Sequence, residues 1–350
     1  MRALRFAGPF AFLLAVPLLS QVSDTAPLLV PLGILLLLLV VEQVRPAHIR
    51  QDKSSLAFRS LPVLYIPLQL AVTLWAARQA SLPGTSLTRF VSLAIGVGVC
   101  TGVFGVLAAH EMVHSRTGWQ KSLGLLMLSG MTYRHFRIAH VYGHHRHAAT
   151  PRDPSTARLG ESFYAFLWRT VPAQLMEAWC FEAHRTRKRR APPLHNRIAR
   201  DAVWTTLLYL ALTLVWGRRA AGFLAVESAV GILVLELFNY IAHYGLVRRP
   251  LGGGLEPLGD HHSWNSSGLG NLMVFNMGRH SDHHRAPDIS YEGLRARPAP
   301  ELPLGYAGSI VLALAPPLWR MVMDPRARTS GALVPESRYA GGSRPAAAAP

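Results

Sequence analysis

The sequence is poor in cysteine and in charged residues. It has only two cysteines, Cys100 and Cys180, among 350 residues. Two thiols cannot build a rubredoxin-like iron centre, a zinc finger or a disulfide framework. Charged residues make up 16% of the chain, whereas apolar residues make up 50% and the mean hydropathy is +0.21. This composition indicates a protein whose solvent is partly lipid.

Acidic residues are also scarce relative to basic ones. The chain has 36 Lys and Arg but 19 Asp and Glu, which gives a formal net charge of +17. The basic residues lie beside hydrophobic segments, and no nucleic-acid recognition motif accompanies them. Anionic lipid headgroups account for them more simply. We therefore expect membrane lipid as a partner, and no nucleic acid.

Six apolar segments are candidates for crossing a hydrocarbon core of about 30 Å. They form three pairs and cover residues 9–23, 26–44, 61–77, 87–109, 202–216 and 221–244. The stretches after the second, fourth and sixth segments hold most of the Lys and Arg residues. By the positive-inside rule these stretches face the cytoplasm.

We therefore predict an all-α integral membrane protein of the inner (cell) membrane with about six transmembrane helices. Residues 1–325 form one domain, and a histidine-rich cytoplasmic cap is expected at about 110–200 and 245–325. Residues 326–350 are rich in Ala, Pro, Gly and Ser, which predicts a disordered tail.

The histidines are concentrated in the predicted cap. Of 16 histidines, all but His48 lie between His110 and His284. Four groups stand out, at 110–114, 140–145, 243 and 280–284. Imidazoles four residues apart on a helix share one face and can grip one metal. His110 and His114 have this spacing, but with Glu111 they also match the zinc protease pattern.

The second and fourth groups each add an adjacent imidazole to such a pair. His140 and His144 repeat the four-residue spacing, and His145 points in a neighbouring direction, so one helix end can serve two metals. His243 alone would usually be a structural residue.

Together the groups supply nine imidazoles. They are His110, His114, His140, His144, His145, His243, His280, His283 and His284. A tetrahedral zinc site uses about four protein ligands, so nine indicate two metals. An all-nitrogen set suits iron, copper or zinc rather than magnesium or calcium.

At these residues the chain resembles the integral-membrane alkane 1-monooxygenase family, within the membrane fatty-acid desaturase and hydroxylase superfamily. The resemblance covers about residues 110–294. The matching stretches are His-Glu-Met-Val-His (110–114), His-x-x-Gly-His-His (140–145), Ala-Thr-Pro-Arg-Asp-Pro (149–154), Gly-Glu-Ser-Phe (160–163), Asn-Tyr-x-x-His-Tyr-Gly (239–245), His-Ser-Trp-Asn (262–265) and Arg-His-Ser-Asp-His-His (279–284). Two positions depart from the family, which usually has Glu where this chain has Ala139 and Ala242.

The resemblance implies that the nine histidines bind two non-haem iron ions, with O2 as co-substrate. It implies a monooxygenase that hydroxylates an apolar substrate, with a terminal methyl group of an alkane or alkyl chain as the first expectation. Because the chain has no Cys-rich iron site, Rossmann fingerprint or flavin motif, electrons are expected from a rubredoxin- or ferredoxin-type donor with its reductase.

Several alternatives stay open at this point. A fatty-acyl desaturase or an alkyl-aromatic hydroxylase would share the scaffold. A membrane zinc protease would use only the first histidine pair with Glu111, and a non-enzymatic metal-handling protein would also need histidine clusters.

Polar groups near the predicted ligands are candidates for orienting the imidazoles through the far ring nitrogen. They are Glu111, Glu236, Asn239, Asp282 and His262. Local capping or solvation would account for the first four equally well.

Overall fold

The structure, a computed structural model, describes residues 2–45, 55–251 and 253–330. Its helices are α1 (Gly8–Leu19), α2 (Leu29–Val41), α3 (Leu56–Ser81), α4 (Leu87–Cys100), α5 (Val106–His114), α6 (Gly118–Gly130), α7 (Phe136–Ile138), α8 (His145–His147), α9 (Phe163–Lys188), α10 (Arg197–Trp216), α11 (Arg218–Ala242), α12 (His280–Arg285), α13 (Gly305–Ala313) and α14 (Pro316–Ser330). A small antiparallel hairpin joins β1 (Pro250–Leu251) to β2 (Gly254–Leu255). The fold is mostly helical, as predicted.

Two π-helical segments connect helices that the sequence predicted as regular. In a π-helix each N–H bonds the carbonyl five residues earlier. The segment Thr101–Gly105 joins α4 to α5 in one continuous helix, Leu87–His114. The segment Ala139–His144 joins α7 to α8. Both segments lie on helices that carry predicted metal ligands.

Four helices in the described part of the chain are long and apolar enough to cross a membrane. They are α3, the continuous α4–α5 helix, α10 and α11, with 20 to 28 residues each. These lengths reach about 30 Å or more at 1.5 Å per residue. The chain is therefore an integral membrane protein.

The first predicted pair of crossings is shorter than expected. α1 has 12 residues, and the apolar helical run Ala26–Val41 also falls short of the length of the other four. Turns occupy much of the region between them, where the sequence analysis extended the first segment to Ser23. Twelve residues span only about 18 Å as a helix. The helices long enough to cross therefore number four among the described residues, not six.

α11 packs closely against α4 through small residues. A Cβ atom on Gly98 would lie 2.8 Å from the carbonyl oxygen of Glu227, and one on Gly102 would lie 2.7 Å from that of Gly231. Glycines allow such an approach between helices in a membrane. Both helices run toward the histidine-rich region, so their ends, at His114 and Ala242, supply neighbouring parts of it.

The last helix, α14, includes residues that the sequence analysis assigned to a disordered tail. Residues 326–330 belong to α14, because Trp319, Met323 and Ala327 lie on one helical face and are buried in a common cluster. Composition alone did not reveal this face. The remaining residues of the predicted disordered tail, 331–350, lie outside the described residues, as does His48.

A buried carboxylate ties α9 to the start of α10. The Glu182 side chain has 0% exposure and bonds Arg185 and Arg197, and it also accepts a hydrogen bond of 3.0 Å from the backbone N–H of Arg197. Burial alone would raise the pKa of Glu182, but the hydrogen bonds from Arg197 and Arg185 outweigh burial and lower that pKa to about 2. The ionised form is thus the one that stabilises this junction.

We predict that Glu182→Gln lowers the free energy of unfolding by about 1–3 kcal/mol, because two guanidinium groups lose their anionic partner. Thermal unfolding in detergent measures this. The folded pKa lies below the ordinary value of 4.5, so the contribution is complete above pH 4.5 and disappears as the pH falls toward 2. Arg116→Gln is the control, since Arg116 is 86% exposed in its ion pair and should change stability by less than about 1 kcal/mol. Equal effects of both variants would contradict this.

Candidate metal centre

Four separate parts of the chain bring the nine predicted histidines together. α5 ends with His110 and His114, and the second π segment with α8 supplies three more. His243 directly follows α11, and α12 supplies the last three. The structure therefore brings these nine side chains together in one region. His114 and His145 are half-buried, and the other seven are buried.

The imidazoles form two clusters. Each histidine contributes one ring nitrogen to its cluster, and in each cluster all these nitrogens lie within 4.8 Å of one another. The five-histidine cluster contains His110, His114, His140, His145 and His283. The four-histidine cluster contains His144, His243, His280 and His284. Each cluster has enough nitrogen donors for one transition-metal ion, so the arrangement suits two ions side by side.

The Nε2 atoms inside each cluster face one another at short range. In the five-histidine cluster the His110–His140 separation is 2.9 Å, His140–His145 is 3.0 Å and His145–His283 is 3.1 Å. In the other cluster the separations are 3.2 Å for His144–His284, 3.2 Å for His243–His280 and 3.1 Å for both His243–His284 and His280–His284. Metal–nitrogen bonds of about 2.1 Å place neighbouring nitrogens about 3.0 Å apart at right angles, and about 3.4 Å apart in a tetrahedron. These separations are therefore short enough for neighbouring nitrogens to bind the same metal ion.

The π segment decides how the second histidine group is divided. His140 and His145 are five residues apart and share the five-histidine cluster, whereas His144 belongs to the other cluster. Five residues is the hydrogen-bonding period of a π-helix. The four-residue spacing would allow His140 and His144 to share a metal, but they lie in different clusters, whereas His280 and His284 on α12 lie in the same one.

Burial favours the neutral form of at least six of these imidazoles. Removal from water, with neighbouring imidazoles adding to the effect, lowers the pKa well below the ordinary value of 6.5 for each of His140, His145, His280, His283 and His284. For His243 burial lowers the pKa to about 3. Neutral imidazole is the form that offers a lone pair to a metal.

In two ligand candidates, the ring nitrogen that faces away from the cluster makes a hydrogen bond. Nδ1 of His144 lies 2.8 Å from a carboxylate oxygen of Asp153, and Nδ1 of His243 lies 2.9 Å from the carbonyl oxygen of His262. Asp153 is itself held by the hydroxyl of Thr156 and the N–H of Ser155. Such contacts fix ring orientation and leave Nε2 for the metal. The sequence analysis quoted the motif that contains Asp153 without assigning this role.

The other predicted orienting groups have different partners. Glu236 accepts hydrogen bonds from Tyr133, Gln174 and Asn239, at 2.9 to 3.1 Å. The Asp282 carboxylate bonds the backbone N–H of Arg295 and the side chain of Arg297. The Glu111 carboxylate bonds Ser290 and the backbone of Tyr291. Glu236, Asp282 and Glu111 thus connect the elements around the clusters.

A third set of potential ligands, Glu256, His261 and His262, lies outside the two clusters. Both ring nitrogens of His262 are already used: Nδ1 accepts from the N–H of Gly259 at 2.8 Å, and Nε2 lies 2.9 Å from Glu256. With Nδ1 accepting, Nε2 carries the proton and has no lone pair for a metal. His262 therefore acts through its backbone carbonyl.

An apolar cavity of about 210 Å³ lies among α2, α4, α11 and α13. Its walls include Ile34, Leu38, Val103, Leu107, Phe238 and Tyr306. Leu107 precedes His110 by about one helical turn, and the ring of Phe238 lies 6.0 Å from that of His280, edge to face. The cavity therefore extends from the membrane-spanning helices toward both clusters. A polar cavity of about 230 Å³ lies beside His114.

Comparison with known proteins agrees with this architecture. Residues 85–304 match the fatty acid desaturase family. Alkane 1-monooxygenase 2 of Pseudomonas aeruginosa is 37% identical over 282 residues, which cover 77% of this chain and 74% of the relative. Alkane 1-monooxygenase of Pseudomonas putida is 36% identical over 274 residues, 77% and 68% of the two chains. The hydroxylase component of the xylene/toluene monooxygenase of Pseudomonas putida is 26% identical over 308 residues, 83% and 80%.

Apolar spanning helices that end in paired histidine clusters define a membrane enzyme of the fatty acid desaturase family, and the chain belongs to that family. Within it, the identities of 36% and 37% over most of the chain place it in the alkane 1-monooxygenase family. The protein is accordingly a non-haem, iron-dependent oxygenase.

We predict that Asp153→Asn weakens metal binding at the four-histidine cluster by about 10–100-fold, because His144 loses the carboxylate that orients it. Chelator titration of the purified protein, followed by iron analysis, measures the change. Asp282→Asn is the matched control: Asp282 is as buried as Asp153 but bonds Arg297 rather than an imidazole. It should lower thermal stability and leave iron affinity within about twofold of wild type. The opposite pattern would assign the orienting role to Asp282.

Proposed function

We propose that the chain is a di-iron monooxygenase that hydroxylates a C–H bond of an apolar substrate, with O2 as co-substrate. The terminal methyl group of an alkane or alkyl chain is the proposed target. The observation that carries the proposal is the pair of all-imidazole clusters near an apolar cavity, whose lining residue Phe238 contacts His280. The choice of alkane follows from the names of the similar enzymes.

The proposed ligands are the nine histidines of the two clusters, one iron ion in each. The five nitrogens of the larger cluster exceed the four ligands of a tetrahedral zinc site, and an all-nitrogen set is compatible with iron. Bound iron would supply the activation of O2 and the transfer of one oxygen atom to carbon, while the second oxygen leaves as water. The protein places the substrate and keeps bulk water away from it.

The apolar cavity is the proposed substrate site. It has no charged lining group except Glu42, whose carboxylate accepts a hydrogen bond from the N–H of Ala307 at 2.8 Å. A hydrocarbon chain lying along α2 and α4 would direct one end past Phe238 toward His280. Apolar burial favours such a substrate over a polar one.

Electrons must come from a separate protein, since the two cysteines cannot form an iron–sulfur centre. We propose a rubredoxin- or ferredoxin-type donor with its reductase. The exposed basic run 187–190 at the end of α9 would attract an acidic donor and raise its rate of encounter.

We also propose that α1 and α2 lie in the bilayer, which would complete six helices in the membrane. Leu18, Leu36 and Val40 on these helices are more than half exposed, at 53% to 66%, and such apolar groups favour lipid over water. The distribution of Lys and Arg supports an inner-membrane location with the clusters on the cytoplasmic side.

Hydroxylation of an alkyl group on an aromatic ring is a second candidate. It is favoured by the similarity to the xylene/toluene monooxygenase hydroxylase component, and by the stacked rings of Phe238 and Tyr306, 4.3 Å apart, in the cavity wall. A desaturase would share the metal site and differ in product. The zinc protease alternative loses support, because the Glu111 carboxylate bonds Ser290 and Tyr291.

Reconstitution tests the proposed function directly. Purified protein loaded with iron and supplied with a rubredoxin, its reductase and O2 should convert medium-chain alkanes to primary alcohols. Alkylbenzenes and fatty acyl substrates should be assayed in parallel, with gas chromatography to identify the products. An alkene product would indicate a desaturase, and one zinc per chain without iron would reject the proposal.

We predict that His145→Ala and His284→Ala each abolish turnover and lower bound iron, because each removes a ligand from a different cluster. His184→Ala is the matched control, since His184 is exposed on α9. It should keep wild-type iron content and activity. Full iron content in either ligand variant would refute the assignment of that residue.

We predict that Ile34→Phe lowers the activity on long alkanes more than the activity on short ones. Ile34 lies about 12 Å along α2 from Glu42 at the histidine end, so a larger side chain there fills the distal part of the cavity. For the longest alkanes kcat/KM should fall about tenfold or more, with little change for the shortest. Leu36→Phe, on the exposed face of α2, should leave the profile unchanged. A uniform loss for all lengths would place the substrate elsewhere.

A further inference from the structure

A buried carboxylate lies inside the membrane-spanning helices, far from the cap. Glu227 is on α11, four turns before His243, and has 0% exposure. Carboxylates are costly in the apolar part of a membrane protein and persist there when they have a specific role. Glu227 is outside both histidine clusters and is not needed as a ligand.

Glu227 is the terminal acceptor of a chain of buried hydrogen bonds. The hydroxyl of Thr101 donates to Oε1 of Glu227 and accepts from Nε2 of Gln69 at 2.8 Å. Oε1 of Gln69 accepts from the hydroxyl of Tyr65 at 2.9 Å. Every hydrogen in this chain points toward Glu227, and the four residues have 0% exposure. The network connects α3, α4 and α11 at one point.

That point is the start of the π segment between α4 and α5. The N–H of Val106 bonds the carbonyl of Thr101, five residues earlier, so Thr101 is the residue at which the regular helix gives way to the π turn. A π turn is equivalent to one extra residue, and it rotates everything after it by about 100°. His110 and His114 lie on the rotated part.

The π turn packs closely against two neighbouring helices. A Cβ atom on Gly102 would lie 2.7 Å from the carbonyl oxygen of Gly231, and one on Gly105 would lie 2.7 Å from the end of Met127. The π turn is therefore in close contact with α11 on one side and α6 on the other. Within this packing the Thr101 hydroxyl is the group that links the turn to Glu227.

We propose that Thr101 and Glu227 are positioning residues, whose hydrogen bond holds the π turn and thereby directs His110 and His114 into the five-histidine cluster. The inference rests on the proposed function, because it assigns a role within that metal centre. Without the bond, α4–α5 is free to revert toward a regular helix, which turns both imidazoles away from His140 and His145. The four-histidine cluster takes no ligand from α5 and provides an internal control.

The test uses the full-length, detergent-purified protein reconstituted with ferrous iron. Thr101→Val removes the hydroxyl at nearly constant volume, and Glu227→Leu removes the acceptor. Both should weaken iron binding at the five-histidine cluster by at least tenfold and leave the other cluster loaded, so that bound iron falls toward half. Mössbauer spectroscopy of the bound iron should show loss of one component and retention of the other.

Matched variants separate positioning from general destabilisation. Thr101→Ser keeps the hydroxyl and should restore the wild-type spectrum. Thr73→Val removes a longer bond, 3.4 Å, from Nε2 of the same Gln69 and should leave both clusters loaded. Two irons with a wild-type spectrum in Thr101→Val and Glu227→Leu would overturn the inference, as would equal loss from both clusters or failure of both variants to fold. A wild-type protein without iron or hydroxylase activity would instead reject the proposed function.

Discussion

The structure depends on nine imidazoles that converge in two clusters, where the Nε2 atoms of eight of them lie about 3 Å from the Nε2 atom of a neighbour. Lone pairs directed at one another in a buried space are unfavourable unless a cation lies between them, because no water is there to bond them. Metal binding therefore stabilises an arrangement that the polypeptide alone would disfavour. Metal binding is also coupled to the folding of the histidine-rich region, since the ligands come from four distant parts of the chain.

The membrane helices make this convergence possible. α4–α5 and α11 run side by side in the same direction, and close contact at Gly98 and Gly102 keeps them near each other up to the membrane surface. Their ends supply three of the nine histidines. The segments 140–145 and 280–284 supply the rest, and contacts such as the one between Asp153 and His144 fix ring orientation. The same parallel helices form walls of the apolar cavity, so the cavity and the histidine clusters share one scaffold.

Sequence spacing was sufficient to predict which histidines converge, because pairs such as His280 and His284 reflect the geometry of a helix. It was not sufficient to divide them between two clusters. That division depends on the π segment at 139–144, which places His140 with His145, and residue types do not reveal where an extra residue is accommodated. Hydropathy located the four long spanning helices but overestimated the first pair, since turns between α1 and α2 shorten both. The sequence analysis missed the role of Asp153 because that role depends on how the loop between α8 and α9 folds back onto His144.

The two alanines that replace the family's usual glutamates fit their surroundings in this chain. Ala139 is buried in an apolar cluster with Ile138, Ala178 and Ile198, and a carboxylate there would lose its hydration without gaining a partner. Ala242 is buried, and its carbonyl accepts the N–H of Trp264 at 2.8 Å. The acidic groups near His144 come from other elements instead, namely Asp153 between α8 and α9, Glu177 on α9 and Glu236 on α11. The contacts that orient His144 and His243 thus come from Asp153 and from the backbone carbonyl of His262, and neither contact requires a glutamate at position 139 or 242.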